Sequence, residues 1–172
     1  MRTILSLAVL VGATSALAAD TAMPNLTGRY YRQFPNALVS GEKYTGENIV
    51  EIVPVAPGAA YVRIHLDYYN GHSCGIYGVA QSQGDTLVYR DPDSPSARTE
   101  GKRCELRVRR SGKSLSIDDG GGSCLDYCGM RGTLSRVALP YASKRPITYL
   151  GRLKGSSQYR EAIAVWRKGG AK

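Results

Sequence analysis

The stretch Gly120-Gly121-Gly122-Ser123-Cys124-Leu125-Asp126-Tyr127-Cys128-Gly129-Met130-Arg131-Gly132 narrows the fold more than any other part of the chain. Two cysteines stand four residues apart between glycine runs. Glycine at this density is out of place inside a strand or a helix. The stretch therefore reads as a stapled crossover. It joins an expected strand at Leu115–Asp118 to another that begins near Arg131.

All four cysteines, Cys74, Cys104, Cys124 and Cys128, lie well beyond an N-terminal segment with the marks of a signal peptide. Arg2 supplies a positive start, Ile4 to Val11 a short apolar run, and Ala16-Leu17-Ala18 a small-x-small cleavage site. Residues 1–18 are expected to be removed, leaving 154 of the 172 residues, enough for one domain with a real core. The apolar run is too short for a membrane span, and no later segment has the length and apolarity of one. A periplasmic or secreted location follows. In such an oxidising compartment an even cysteine count implies two disulfides. A C-x3-C pair with scattered histidines is poor zinc spacing, so neither a metal nor a cofactor is expected.

Residues 19–140 read as a run of antiparallel strands. The first opens at Gly28-Arg29-Tyr30-Tyr31, followed by a long polar loop over 34–48 and a strand at Ile49–Val55. Tyr61–Tyr68 is the clearest strand. Val62, Ile64, Leu66 and Tyr68 face one way, and Arg63, His65 and Asp67 the other, as a half-buried strand requires. Asn70-Gly71 gives a tight turn into Ser73–Gln81, and Gln83-Gly84-Asp85 turns into Thr86–Arg90. A polar loop at 91–102 precedes strands at Arg103–Arg110, Ser114–Asp118 and Arg131–Leu139, the last ended by Pro140. Eight strands with mostly short connections predict an all-β, mainly antiparallel fold: a roughly eight-stranded up-and-down barrel with a C-terminal α-helix.

Hairpin parity sorts the loops. Those at 34–48, 70–72, 91–102 and 119–130 share one rim, and those at 56–60, 82–85 and 111–113 share the other. All four cysteines fall on the first rim, which has the long loops and is where binding is expected. Three disulfide pairings are open. Cys104 with Cys124, within one hairpin, is preferred, which leaves Cys74 for Cys128.

Charge separates the tail from the body. Residues 19–140 carry 14 Lys+Arg against 13 Asp+Glu, whereas 141–172 carry 8 against the single acid Glu161. The tail is a basic segment with a helix expected at about 157–168. Ser156-Ser157 stands at its start, and Tyr159, Ile163 and Trp166 recur at helical spacing. Arg152, Lys154, Arg160, Arg167 and Lys168 are the candidate contacts to an anionic surface. The apolar stripe is expected to dock on the barrel and close its bottom end; the alternative is that it lies on a membrane or a partner.

No motif carries catalytic chemistry. There is no nucleophile elbow, phosphate-cradling loop or zinc-protease signature. His65 and Asp67 share the polar face of a strand, with His72 beyond the turn, and read as a solvated surface. Asp118, Asp119 and Asp126 beside glycines read as turn formers. Arg103, Arg107, Arg109 and Arg110 read as a solvated strand face, so nucleic acid is not the expected partner.

Two resemblances follow from quoted residues. Cys74 with Gly78-Val79-Ala80, Gly84-Asp85-Thr86-Leu87-Val88-Tyr89, Cys104-Glu105-Leu106 and the stretch 122–132 resemble small exported proteobacterial cysteine-containing β proteins of unassigned function. Ser40-Gly41-Glu42-Lys43-Tyr44 resembles the S-G-x-x-Y motif of periplasmic lysozyme inhibitors, which place this loop in the lysozyme cleft. That resemblance implies Ser40 and Tyr44 as contacts, although the companion Y-x3-G-x4-L motif is absent. The sequence thus points to an exported, non-enzymatic binding protein of the bacterial envelope, with a cell-wall hydrolase as partner. The alternative is a basic adaptor engaging an anionic envelope component through its tail.

Overall fold

The computed structural model of the chain describes residues 22–91, 93–94 and 103–169. The expected signal peptide at 1–18, most of the expected loop at 91–102 and the last three residues of the tail lie outside them.

Eight antiparallel strands form a single meander in which each pairs with the next: β1 (Gly28–Ala37), β2 (Lys43–Ala56), β3 (Ala59–Asp67), β4 (Ser73–Gln83), β5 (Thr86–Arg90), β6 (Glu105–Ser111), β7 (Ser114–Asp118) and β8 (Val137–Pro140). The sheet curls into a nearly closed barrel. Its seam, between β1 and the chain just past β8, is bridged by two backbone bonds at 2.8 Å that Arg29 and Arg145 exchange. Ser143 Oγ adds a third contact by accepting the Tyr31 N–H at 3.1 Å.

The alternation read from the sequence sets the two faces. Tyr30, Val50, Ile52, Val62, Ile64, Leu66, Ile76, Leu87, Leu106, Val108, Leu115, Ile117 and Leu139 fill the interior. Arg63, His65 and Asp67 turn outward as expected. The first hairpin differs from the sequence reading. The ladder runs from Gly28 opposite Ile52 to Ala37 opposite Lys43, so only 38–42 remain as a turn where a loop over 34–48 was expected. Polar side chains enter these strands because they find partners there. The Asn36 amide is buried and donates to Tyr44 OH at 2.8 Å and to the Tyr68 carbonyl at 3.0 Å.

β8 is shorter than expected. Residues 131–136 are irregular, with Arg136 at φ +54°, and are held by the buried side chain of Leu134.

The bottom end is closed by a segment other than the one expected. A short helix, α1 (Ala22–Leu26), leads into β1, and its Met23 and Leu26 join the interior core. Tyr30 OH donates to the Leu26 carbonyl at 3.0 Å from inside. The tail instead lies along the outside of the wall. It comprises α2 (Leu150–Lys154) and α3 (Ser157–Gly169), and Ser156 caps α3 by accepting the Tyr159 N–H at 3.2 Å. Leu153, Tyr159, Ala162, Ile163 and Trp166 pack with Val53, Ala59, Tyr61 and Val79. The expected docking of the stripe is therefore present, but on the outer face of β2–β4. Tyr61 explains the choice: it points outward yet is fully buried, with its ring centroid 4.8 Å from that of Tyr159.

Candidate functional site

Three turns meet on the rim opposite α1. In the first, Leu38 N–H donates to the Glu42 carbonyl at 2.8 Å, and Gly41 takes φ +84°. In the second, Tyr68 N–H donates to the His72 carbonyl at 2.8 Å around Asn70 and Gly71, both at positive φ. The third is the irregular segment 119–136. The turns abut: a side chain at Gly71 would meet Leu38 Cδ2 at 3.1 Å, and one at Gly129 would meet His72 Nδ1 at 3.2 Å.

Two disulfides fix this rim, Cys74–Cys128 and Cys104–Cys124. The chain passes so close over the first that a Cβ at Gly132 would lie 2.6 Å from Cys74 Sγ. The buried Asp119 carboxylate organises the segment from within. It accepts the Gly122 N–H at 3.0 Å, the Cys124 N–H at 3.1 Å and the Ser135 hydroxyl. Tyr68 OH adds a bond to the Thr133 carbonyl. The acids beside the glycine run thus serve loop geometry.

The rim exposes several large apolar side chains beside polar ones such as Ser40, Glu42 and Arg131. Val39 is 82% exposed, Met130 94% and Tyr69 66%, and Leu125 and Leu38 are also exposed. Among the described residues the other exposed large apolar side chains are Leu150 and Val165 of the tail. Exposed apolar side chains are ordinary when scattered. Their concentration on three adjoining turns, the second and third of them tied by Cys74–Cys128, marks an interaction surface.

The expected contacts divide. Ser40 is exposed at the tip of the first turn. Tyr44, expected in a loop, lies in β2, half-buried, with its hydroxyl bonded to Asn36 and 3.5 Å from the Tyr68 carbonyl. Because β2 begins at Lys43, the motif spans a turn and a strand.

Other polar groups singled out in the sequence have structural partners. His65 Nε2 and Asp67 Oδ1 are 3.0 Å apart on the outer wall, and Asp67 also accepts the Glu47 N–H at 2.8 Å. Arg107 and Arg90 both bind Glu105, at 2.7 and 2.8 Å. The hydrogen bond from Arg107, with Arg90 beside it, holds the Glu105 carboxyl below its ordinary value. Arg110 lies over the Tyr141 ring at 4.2 Å. Arg103 and Arg109 are exposed. Glu51 is fully buried beneath α2, where Arg63 and Tyr149 OH bind it. Arg152, Lys154, Arg160, Arg167 and Lys168 all stand exposed along the tail. No group of three or more His, Cys, Asp or Glu with metal-binding geometry occurs among the described residues.

Sequence reasoning missed a second feature. The β4–β5 ladder stops at Gln81 opposite Val88, so the upper halves of these strands part. A cleft of about 580 Å³ opens there against α3. Both outward residues (Tyr77, Val79) and inward ones (Ile76, Gly78) line it, as the opening in the wall allows. Tyr89 fills the opening, its ring against Gly78 where any side chain would collide with it. Burial, then the Asp91 carboxylate, pushes the Tyr89 phenol well above its ordinary value. The available signal was the excess of tyrosine, 12 against one Phe and one Trp.

No protein-family model, curated protein or solved structure matches this chain. Among the described residues, no helix is long and apolar enough to cross a membrane.

Proposed function

We propose that this is an exported, non-enzymatic binding protein that engages a protein partner through the cross-linked rim, and that the partner is a cell-wall hydrolase. The observation that carries the reading is the exposure of Val39, Tyr69, Leu125 and Met130 on adjoining turns, of which the last is tied to β4 and to the start of β6 by two disulfides. A rigid apolar patch loses little conformational freedom on association, so more of its contact energy appears as affinity. The hydrolase as target rests on the resemblance of Ser40-Gly41-Glu42-Lys43-Tyr44 to the lysozyme-inhibitor motif, which begins on this rim. Export rests on the N-terminal segment and agrees with the paired cysteines.

The test is lysis of cell-wall suspensions by a panel of lysozyme classes, with the protein lacking residues 1–18 at micromolar concentration. Slowing of at least one class is expected. The double variant Val39→Glu, Met130→Glu should abolish it while leaving thermal stability within about 0.5 kcal/mol, since both side chains are exposed. No slowing of any class removes the hydrolase as target. A partner captured from envelope extract equally well by wild type and variant removes the rim as the site.

A second reading is carried by the tail. Its apolar stripe is spent against the barrel, which leaves Arg152, Lys154, Arg160, Arg167 and Lys168 outside as a basic strip. Such a strip supports a salt-sensitive attraction to anionic envelope components without insertion.

A further inference from the structure

We propose that the cleft between α3 and the parted strands β4 and β5 is a binding site for an organic cation, an alkylammonium or guanidinium head on an apolar stem. Tyr127 of the rim segment supplies one wall of this site, but the site does not depend on the function proposed for the rim.

The space comes first. About 580 Å³ lies within the range of small-ligand sites. Its walls are of two kinds. Ile76, Val79, Val88 and Val165 offer apolar surface for a stem. Tyr77, Tyr89, Tyr127 and Trp166 bring four aromatic rings to one cavity, and aromatic faces attract cations. Trp166 is anchored: with the Gln81 amide turned to satisfy both its neighbours, its oxygen accepts the indole N–H at 2.8 Å.

Charge then selects among ligands. Among the described residues three carboxylates line the cleft, those of Asp91, Asp93 and Glu161, while the one cationic lining residue, Arg90, is engaged by Glu105 at 2.8 Å. Among the described residues, no Lys, Arg or His forms an ion pair with any of the three acids. This is notable in a chain of net charge +9, and Glu161 is the single acid of the basic tail.

Neutral tyrosines orient these acids. Tyr77 OH donates to Glu161 Oε2 at 2.8 Å, and Tyr127 OH donates to Asp91 Oδ2. The Asp93 N–H donates to Asp91 Oδ1 at 3.0 Å. A carboxylate oxygen accepts more than one bond, so these donors position the charge without cancelling it. Asp91 is only 7% exposed, and a buried charge held, among the described residues, by neutral donors gains from an incoming cation. An anion meets repulsion here, and a neutral apolar ligand leaves the carboxylates uncompensated.

Trp166 is the chain's only tryptophan, so its fluorescence reports the cleft directly. The protein lacking residues 1–18 would be titrated with phenethylammonium, neutral 2-phenylethanol and anionic phenylacetate. Saturable change with the ammonium ion is expected, with at least about tenfold weaker response to the other two. Glu161→Gln and Asp93→Asn, at exposed positions that leave the fold intact by circular dichroism, should each weaken the cation several-fold and leave 2-phenylethanol unchanged. Equal binding of all three probes would make the cleft merely apolar and overturn the proposal. So would unaltered cation affinity in both variants, or no saturable response up to about 20 mM ammonium probe.

Discussion

Tyr61 stands on the outward side of β3, yet it is completely buried, and its hydroxyl has no hydrogen-bond partner among the described residues. Burial pushes its phenol well above the ordinary value of 10, as it does for Tyr30 and Tyr89. A raised value means that the folded state holds its proton more tightly than the unfolded chain. The associated stability is complete below about pH 10 and is lost as pH climbs from there through the folded-state value. The protein should therefore lose stability steeply above about pH 10, with tyrosinate absorbance rising together with unfolding. Tyr61→Phe separates the causes. It removes a hydroxyl that makes no bond, so stability at neutral pH should change by no more than about 1 kcal/mol. The alkaline loss should become shallower. Guanidinium denaturation at pH 7 and at several values above 10 checks both halves, and an unchanged alkaline slope would show that Tyr61 ionises freely in the folded protein.

At the scale of elements, docking of the tail gives the next prediction. Trp166 is half-buried in the cluster with Val79 and Tyr61, so Trp166→Ala should cost about 2 kcal/mol, below the 3–5 kcal/mol of a fully buried aromatic. Its emission should be blue-shifted in the free protein and indifferent to anionic vesicles. A vesicle-dependent blue shift would mean that the stripe leaves the wall for a membrane. The stripe was legible because Tyr159, Ile163 and Trp166 keep helical spacing. Its landing place was not, because Val53, Tyr61 and Val79 alternate like any strand residues, and alternation does not say whether the outer face is wet. The same limit explains α1, whose five residues are too few to show a period. β3 was legible throughout because polar and apolar residues alternate strictly there. β1 and β2 were cut short at 34 and 48 because Asn36 and Gly46 look like loop residues. In fact Asn36 is satisfied by Tyr44 and Tyr68, and Gly46 leaves room for the Phe34 ring. The cleft was hidden for a related reason. It depends on where the β4–β5 ladder stops, which is a matter of pairing across strands and leaves no local pattern.

For the molecule as a whole, the barrel supplies the frame and the disulfides decide whether the rim keeps its shape. The links are nested: Cys104–Cys124 closes a separation of 20 residues inside the 54 spanned by Cys74–Cys128. In the chain-entropy picture the inner link alone stabilises by about 3 kcal/mol and the outer by about 4 kcal/mol. The interior core extends from rim to bottom through residues of every strand, and α1 closes the end far from the links. Replacing one pair by alanine should therefore leave a folded barrel. The inner pair ties β6 to the segment following β7, which Asp119 already organises through Gly122, Cys124 and Ser135. The outer pair joins β4 to that segment, where the Gly129 N–H adds one backbone bond to the Ser73 carbonyl at 2.8 Å. Cys74→Ala with Cys128→Ala should thus be the more damaging change. It should lower stability by about 1 kcal/mol more than the inner double variant. It should also free the turn that carries Met130 from the adjoining turn at His72 and Ser73, so that rim binding falls while the Trp166 signal of the docked tail persists. Denaturation curves, lysis assays and tryptophan emission on the two double variants read these effects separately. A greater loss of rim binding from the inner pair would show that the Cys104–Cys124 link, rather than the tie to β4, holds the surface in place.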